Sequence, residues 1–538
     1  MSSPAIVLTT LNATYIHASL GLRYLLANMG ELKPRTVIRE FTIARKPEDV
    51  FDALLLTLQC EQPNGGPEPP IPQIIGFGVY IWNVLQTTAV VRLLKARRPD
   101  IKIILGGPEV SHETNEQEIT SLADHVITGW GDLSFAKLCR ALIHGPQTES
   151  QRLTKIISGE QPDLNKILLP YTDYTDADLA HRVLYVEASR GCPFSCEFCL
   201  SALDKTAWAF DLDLFLQEME TLYRRGARQF KFVDRTFNLK IDSSVRILKF
   251  FLNKLAGAES VAGLFVHFEV IPDHLPERLK SMIAQFPPGA LQFEVGIQSF
   301  TVDVQQRISR KQNNDKAAAN LHWLVGHSNA HLHTDLIFGL PGETLESFAA
   351  GFDRLYALGP HEIQLGILKR LRGTPIVRHT AEFGMVYDPA PPYAVQATST
   401  VDAATMQRIM RLTRYWDMLA NSGRFQATLS LLLNPQKTDE ATSPFATFLA
   451  LSDWLWQRTE KASGLTPEHL VDALFEYLCT QCALTTSAAQ QVLSADYLAS
   501  GARGNPQSLH GLLPKRAPTA RQRQSRSQRQ QQHLAAGG

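Results

Sequence analysis

The stretch SRGCPFSCEFCLSALDK, Ser189–Lys205, places three of the chain's seven cysteines, Cys192, Cys196 and Cys199, in C-x3-C-x2-C spacing. It follows directly on Val183–Ala188, a run with the apolar character of a strand. Thiolates this close in sequence suit zinc or an iron–sulfur cluster, because soft metals take soft sulfur ligands. A structural zinc site needs a fourth Cys or His nearby, and none follows before His267. Zinc with a distant fourth ligand stays open as an alternative. Three ligands on a four-iron cube leave one iron open, which is a reactive arrangement. Gly191 and Pro193 shape the loop to wrap around such a cluster.

Around this loop lies a chain of 538 residues, enough for roughly three or four domains. Apolar residues make up 44% and charged residues 20%, the balance of a globular protein. The formal net charge is zero, which argues against a general nucleic-acid or membrane-surface role. No basic segment followed by an apolar one opens the sequence, and no apolar run nears the roughly 20 residues of a bilayer span. An odd cysteine count without an export signal favours reduced thiols and a cytoplasmic location.

Upstream, strand and helix alternate. Apolar runs at Ala5–Thr10, Thr36–Phe41, Ile74–Tyr80, Lys102–Leu105 and His125–Thr128 predict five strands, with Gln59–Pro72 as a Pro/Gly-rich loop. The pattern implies a doubly wound parallel sheet over residues 1–145, whose ligands sit beyond the carboxyl ends of the strands. Asn12, Tyr80, Trp82, Gly106, Gly107, Pro108 and Gly129 to Gly131 fall there. Residues 146–182 are polar and read as a linker. A second series follows over 183–369: Val183–Ala188, Gln229–Val233, Leu264–Val270, Leu291–Gly296, His333–Phe338 and Glu362–Leu368. Six strand–helix units predict a partial (β/α)6 barrel with its site at the C-terminal face, or two open sheets side by side. Residues 370–500 turn mostly helical. The tail 501–538 has seven Lys/Arg and no Asp/Glu, and is expected to be disordered.

The cysteine spacing after a first barrel strand resembles the radical S-adenosylmethionine (SAM) enzymes. The resemblance implies that Cys192, Cys196 and Cys199 hold a [4Fe-4S] cluster whose open iron chelates SAM. Electron transfer would then cleave the sulfonium and yield a 5′-deoxyadenosyl radical, with the hard chemistry belonging to the cofactors. Phe198 sits where the family places an aromatic over the cluster. The resemblance further implies SAM contacts from Asp234 in FVDRTFN, Glu294 and Gln298 in FEVGIQS, and Gly339 and Gly342 in LIFGLPGE. Each carboxylate has a plainer reading as a helix cap or an arginine partner.

The upstream domain looks like that of the cobalamin-binding subclass. Its loops GGPEVS and DHVITGWGDLSF are similar to the paired strand-end loops whose glycines flank the cobalamin tail, which makes Asn12, Tyr80, Trp82, Gly106, Gly107, Pro108, Gly129 and Gly131 the candidate contacts. The D-x-H-x-x-G motif is absent: around His17, Tyr15 replaces the aspartate and Leu20 the glycine. The resemblance therefore carries no lower histidine ligand. It extends over roughly residues 5–500 to an uncharacterised branch with TLNATYIHASLGLRYL, SALDK, LRGTP (Leu371–Pro375), PPY (Pro391–Tyr393) and NSGRF (Asn421–Phe425). The implied activity is methylation of an unactivated carbon of a small molecule or peptide, served by an external donor of flavodoxin or ferredoxin type. Oxidative cyclisation or ring rearrangement is the alternative, and a non-catalytic sensor with a nucleic-acid-binding tail a more distant one. Cys479 and Cys482 read as ordinary helix cysteines, and Arg370 and Arg372 as contacts to an anionic substrate or as structural residues.

Overall fold

The structure, a computed structural model, describes residues 5–59, 72–145, 154–256, 263–433 and 443–514. Most of the Pro/Gly-rich loop, Cys60 with it, and the basic tail beyond residue 514 lie outside the described residues. Among those described, no helix is long and apolar enough to cross a membrane. The six described cysteines are free thiols.

Strands β1 (Ile6–Asn12), β2 (Thr36–Thr42), β3 (Ile74–Gly78), β4 (Lys102–Gly106), β5 (His125–Thr128) and β6 (Ile156–Ser158) form one parallel sheet in the order β2-β1-β3-β4-β5-β6. Alternate side chains feed two cores. Val7, Ile75, Ile103 and Leu105 pack on the helices Pro47–Gln59 and Val84–Arg97. Ile6, Ile74 and Ile104 pack on the face of Leu20–Ala27 and Ser134–His144. The winding reverses between β1 and β3, and a crevice opens there at the carboxyl ends of the strands.

The sixth strand was not among the five expected. It lies in the polar stretch read as a linker, and its register is set by Val126 N–H donating to Lys155 O at 2.7 Å. That stretch also carries Tyr171 and Tyr174, both fully buried, whose hydroxyls donate to the carbonyls of Glu187 (3.0 Å) and Tyr185 (2.7 Å). It is thus a packed joint between the two sheets rather than a tether.

The second sheet comprises β7 (Leu184–Val186), β10 (Gln229–Phe232), β11 (Phe265–Val270), β12 (Leu291–Gln298), β13 (His331–Phe338) and β14 (Glu362–Ile367). Between β7 and β10 a small antiparallel pair, β8 (Ser189–Arg190) and β9 (Trp208–Ala209), closes the cysteine loop. The six large strands pair in parallel and in chain order, from β7 to β14. This is a partial barrel, and the two-sheet alternative falls. On β12 the buried residues Phe293, Val295 and Ile297 face the helices, while Gln292, Glu294, Gly296 and Gln298 face the interior.

An open barrel leaves the edge of β14 with backbone groups that need partners. The helical C-terminal region supplies them. Trp416 Nε1 donates to Ile363 O at 2.8 Å, and Asn421 both accepts from Ile363 N–H (3.1 Å) and donates to Ile363 O (3.0 Å). The NSGRF stretch therefore begins with a residue that substitutes for a missing strand. Asn421→Ala is expected to cost about 1–3 kcal/mol, because two buried backbone groups on the edge strand lose a partner. A urea midpoint unchanged from wild type would contradict this role.

Candidate active site

Gly191 has φ +89, and a Cβ there would lie 2.6 Å from Thr206 Oγ1 and 2.8 Å from Ala207 N. Only glycine lets the two limbs of the loop approach this closely. The Cys192 amide donates to Asp204 O at 2.8 Å, and the Cys199 amide to Cys196 O at 3.1 Å. Cys192, Cys196 and Cys199 all open onto one cleft of about 240 Å³ at the C-terminal ends of the strands. Phe198 lines it, as does Phe194, which the sequence reading passed over. Burial raises the Cys192 and Cys196 thiols, an effect that the Arg310 charge opposes at Cys196. Arg310 Nη1 lies 3.8 Å from Cys196 Sγ. The donor set fits an iron–sulfur cluster: three thiols on one loop, a cation beside one of them, and an adjoining cleft.

The cleft's other wall is polar. Glu294 and Gln298 line it as expected, joined by Arg235, Glu269 and Asp335. Glu294 lies across from Glu269 on β11 and His333 on β13. Burial alone would raise Glu294, but His267 (3.2 Å) and Lys231 (3.5 Å) hold it below the ordinary carboxylate range. Burial pushes His267 down to about 4, so it is neutral near pH 7. Arg235 Nη1 donates to both oxygens of Glu269 at 2.8 Å. Asp335 is pushed well up by burial and by the charges of Glu294 and Glu269. Its Oδ1 is buried without a hydrogen-bond partner, and His333 Nε2 stands 3.8 Å away. A ligand bringing hydroxyl and ammonium donors would satisfy this surface. In sequence, only the even spacing of polar residues along β11 to β13 hinted at it.

Three expected SAM contacts fall elsewhere. Asp234 accepts from the Ala188 amide (3.0 Å) and the Ser189 hydroxyl (2.5 Å), facing away from the cleft that its neighbour Arg235 lines. Burial pushes it up to about 7. Its position braces the entry to the cysteine loop. Gly339 and Gly342 are packed over by other parts of the chain: a Cβ at Gly339 would meet Val395 at 2.6 Å, and one at Gly342 would meet Arg307 at 2.5 Å. In the same turn Glu343 is buried, accepts from Ser299 Oγ at 2.5 Å, and is pushed by burial up to about 8.

A second cavity, about 790 Å³, opens at the β1/β3 crevice. Tyr80, Gly106, Gly107, Pro108, Gly129 and Gly131 line it as expected. A Cβ at Gly107 (φ +109) would lie 2.5 Å from Val79 O, so glycine is required there. Asn12 and Trp82 do not line it. Asn12 donates to His17 O (2.9 Å) and Glu40 Oε1 (3.0 Å), and Trp82 stacks on the outer side of Tyr80 with centroids 4.5 Å apart. His17 is engaged with Tyr185, its Nδ1 2.7 Å from the phenol oxygen. His112 and Arg190 line the cavity without having been expected there, as do Leu200 and, in the SALDK stretch, Leu203 and Lys205; Trp130, within the expected Gly129–Gly131 turn, lines it too. A deep cavity with glycine-edged strand ends and apolar walls fits a corrinoid and its nucleotide tail. One loop, residues 192–206, thus faces the cysteine cleft on one side and this cavity on the other.

Residues 186–355 match the radical SAM superfamily, and residues 381–536 match a protein family of unknown function, DUF4080. The first match coincides with the first five large strands of the barrel and the cysteine loop. The second match takes in the basic tail, which the sequence reading had set outside the family. Cobalamin-dependent radical SAM methyltransferase TokK of Streptomyces tokunonensis is 27% identical over 326 residues, 55% of this chain and 47% of that one. The 2-(S-pantetheinyl)-carbapenam-3-carboxylate methyltransferase of Streptantibioticus cattleyicolor is 24% identical, over 54% of this chain and 46% of that one. The chain thus spans just under half the length of these relatives. In fold it resembles the cobalamin-dependent SAM radical enzyme OxsB with aqua-cobalamin bound (TM-score 0.60, 14% identity, 99% of this chain and 83% of that one). It likewise resembles TsrM of Kitasatospora setae with cobalamin and a [4Fe-4S] cluster bound (TM-score 0.56, 15% identity, 75% and 83%).

Two measurements check these placements. Replacing any of Cys192, Cys196 or Cys199 by alanine should abolish the iron and sulfide retained after anaerobic reconstitution; retention by the Cys199→Ala protein would remove Cys199 from the ligand set. Glu343 binds its proton more tightly folded (about 8) than at its ordinary value of 4.5. Its contribution to stability is therefore full below pH 4.5 and lost as pH rises to about 8. Glu343→Gln should flatten that fall, giving a denaturant midpoint that exceeds wild type more at pH 9 than at pH 6.

Proposed function

We propose that the protein is a cobalamin-dependent radical SAM enzyme that methylates an unactivated carbon of a small molecule or peptide. The observation that carries this reading is the shared wall: residues 192–206 border the cysteine cleft and the larger cavity at once. When bound, a [4Fe-4S] cluster supplies the electron that cleaves SAM to a deoxyadenosyl radical, and cobalamin carries the methyl group.

The chain's own part is to hold and orient. Cys192, Cys196 and Cys199 would ligate the cluster, with Arg310 favouring the thiolate at Cys196 and Phe194 and Phe198 excluding water. Glu294, kept ionised by His267 and Lys231, is placed to accept from ribose hydroxyls, and Gln298 stands beside it. Asp335, whose proton burial and the nearby carboxylates hold more tightly than usual, stands further along the same wall. Tyr80 and the glycines at 106, 107, 129 and 131 would border the corrinoid. No side-chain nucleophile is required. Electrons would come from a flavodoxin- or ferredoxin-type donor, and the reduced thiols suit a cytoplasmic setting.

Methyl transfer is favoured over cyclisation by the methyltransferase names of two relatives. The test is anaerobic incubation with dithionite, cobalamin, methyl-labelled SAM and a cell extract. Label should enter a product heavier by one methylene, and Cys196→Ala should form no 5′-deoxyadenosine. A product of unchanged carbon count would indicate cyclisation or rearrangement, and 5′-deoxyadenosine from the Cys196→Ala protein would refute the cluster assignment.

A further inference from the structure

Arg370 and Arg372, just past the last barrel strand, line neither cavity. Arg372 Nε lies 3.0 Å from Glu109 Oε1, and its Nη1 lies 2.8 Å from Glu113 Oε2. Arg370 Nη2 lies 2.9 Å from Glu113 Oε1. The Tyr393 hydroxyl donates to Glu109 Oε1 at 2.6 Å, and the Arg372 guanidinium sits 5.0 Å from the Tyr393 ring centre. Glu109 is only 4% exposed. It directly follows Gly106, Gly107 and Pro108, which border the larger cavity. Gly373 allows the contact to close further: a Cβ there would lie 2.2 Å from Cγ of His112, another lining residue.

Three residues on, the same segment grips the cysteine loop. Ile376 N–H donates to Glu197 O at 3.0 Å. His379 Nε2 lies 2.9 Å from Glu197 Oε2, and Arg378 pairs with Glu197 Oε1. Ser309 Oγ donates to Glu197 Oε1 at 2.5 Å. Glu197 is 3% exposed and stands between Cys196 and Phe198. The helical turn Pro375–His379 makes the link short and stiff.

We propose that residues 370–379, with Tyr393, form a positioning strap that fixes the glycine loop of the larger cavity against the cysteine loop. Naming those two places as corrinoid and cluster sites rests on the function proposed above; the strap itself rests on the contacts. Buried carboxylates at both ends make the geometry specific, since Glu109 and Glu197 each lose an ion-pair partner if the strap lifts. The strap gives LRGTP, with the preceding Arg370, and PPY a common role: two arginines and a tyrosine for one carboxylate pair, and a glycine where His112 must fit.

The test is hydrogen–deuterium exchange on the full chain with its cluster reconstituted, with and without hydroxocobalamin. The variants are Arg372→Gln, Glu197→Gln and, as a milder change at a partly exposed position, Arg370→Gln. Arg372→Gln should speed exchange about tenfold in residues 106–113 and also, at the far end, in 192–199. Glu197→Gln should do the reverse, loosening 106–113 from the cysteine side. Cluster content and the thermal midpoint of Arg370→Gln should stay near wild type while its far-end exchange still rises. Exchange that rises only next to each substituted side chain overturns the strap. Should wild type take up no hydroxocobalamin, the proposed function falls, while the cluster-only samples still decide the strap.

Discussion

The hydrogen bond from the Cys192 amide to Asp204 O, together with the β8/β9 pair, turns residues 190–208 into a closed loop. Its closure depends on Gly191, because no side chain fits against Thr206 and Ala207. With the loop closed, three thiols point into the barrel mouth and Leu200, Leu203 and Lys205 point into the neighbouring domain. The supports converge on the same loop. Asp234 holds its first residues, Arg190 pairs with Asp132 at 3.0 Å and Glu187 at 2.6 Å, and Glu197 anchors its middle. Arg190 also lies over the rings of Tyr24 and Trp130, so loop and upstream domain share one half-buried cation.

The barrel interior shows how one set of carboxylates acquires different charge states. Glu294 is held below the ordinary carboxylate range because a histidine and a lysine reach it, whereas at Asp335, two strand positions away across the register, burial and the charges of Glu294 and Glu269 outweigh the opposing charges of Lys231 and Arg310 and push the carboxyl up. Glu269 is matched by Arg235. The cleft therefore presents a carboxylate, a carboxyl that binds its proton more tightly and an ion pair side by side, an arrangement suited to a ligand with both a cationic centre and neutral hydroxyls.

Much of this was legible in the sequence. All six barrel strands and five of the six upstream strands announce themselves, the upstream ones as apolar runs of a sheet buried on both faces and several barrel strands by alternation of apolar and polar residues. The cysteine spacing is local and so survives without a structure. The short β6 was invisible because three residues at a sheet edge, Ile156, Ile157 and Ser158, carry no periodic signal. Asp234 was expected at the cleft, but its neighbour Arg235 lines it instead, since direction just past a strand's end depends on how the chain leaves the sheet. Gly339 and Gly342 looked like ligand contacts, but the space beside them is filled by residues distant in sequence, Val395 and Met406 at Gly339 and Arg307 and Phe383 at Gly342. Arg370 and Arg372 likewise find partners more than 250 residues away.

The cover that Trp416 and Asn421 give to β14 also bears on where the barrel ends as a folding unit. Pattern alone places its boundary at the last strand, near residue 369, yet the groups that complete that strand lie some fifty residues further on. A chain cut at the apparent boundary would carry an apolar strand with an open hydrogen-bonding edge, the usual template for intermolecular pairing. The barrel and the helical region after it are thus one structural unit, because the edge of the last strand is completed only by residues of the second.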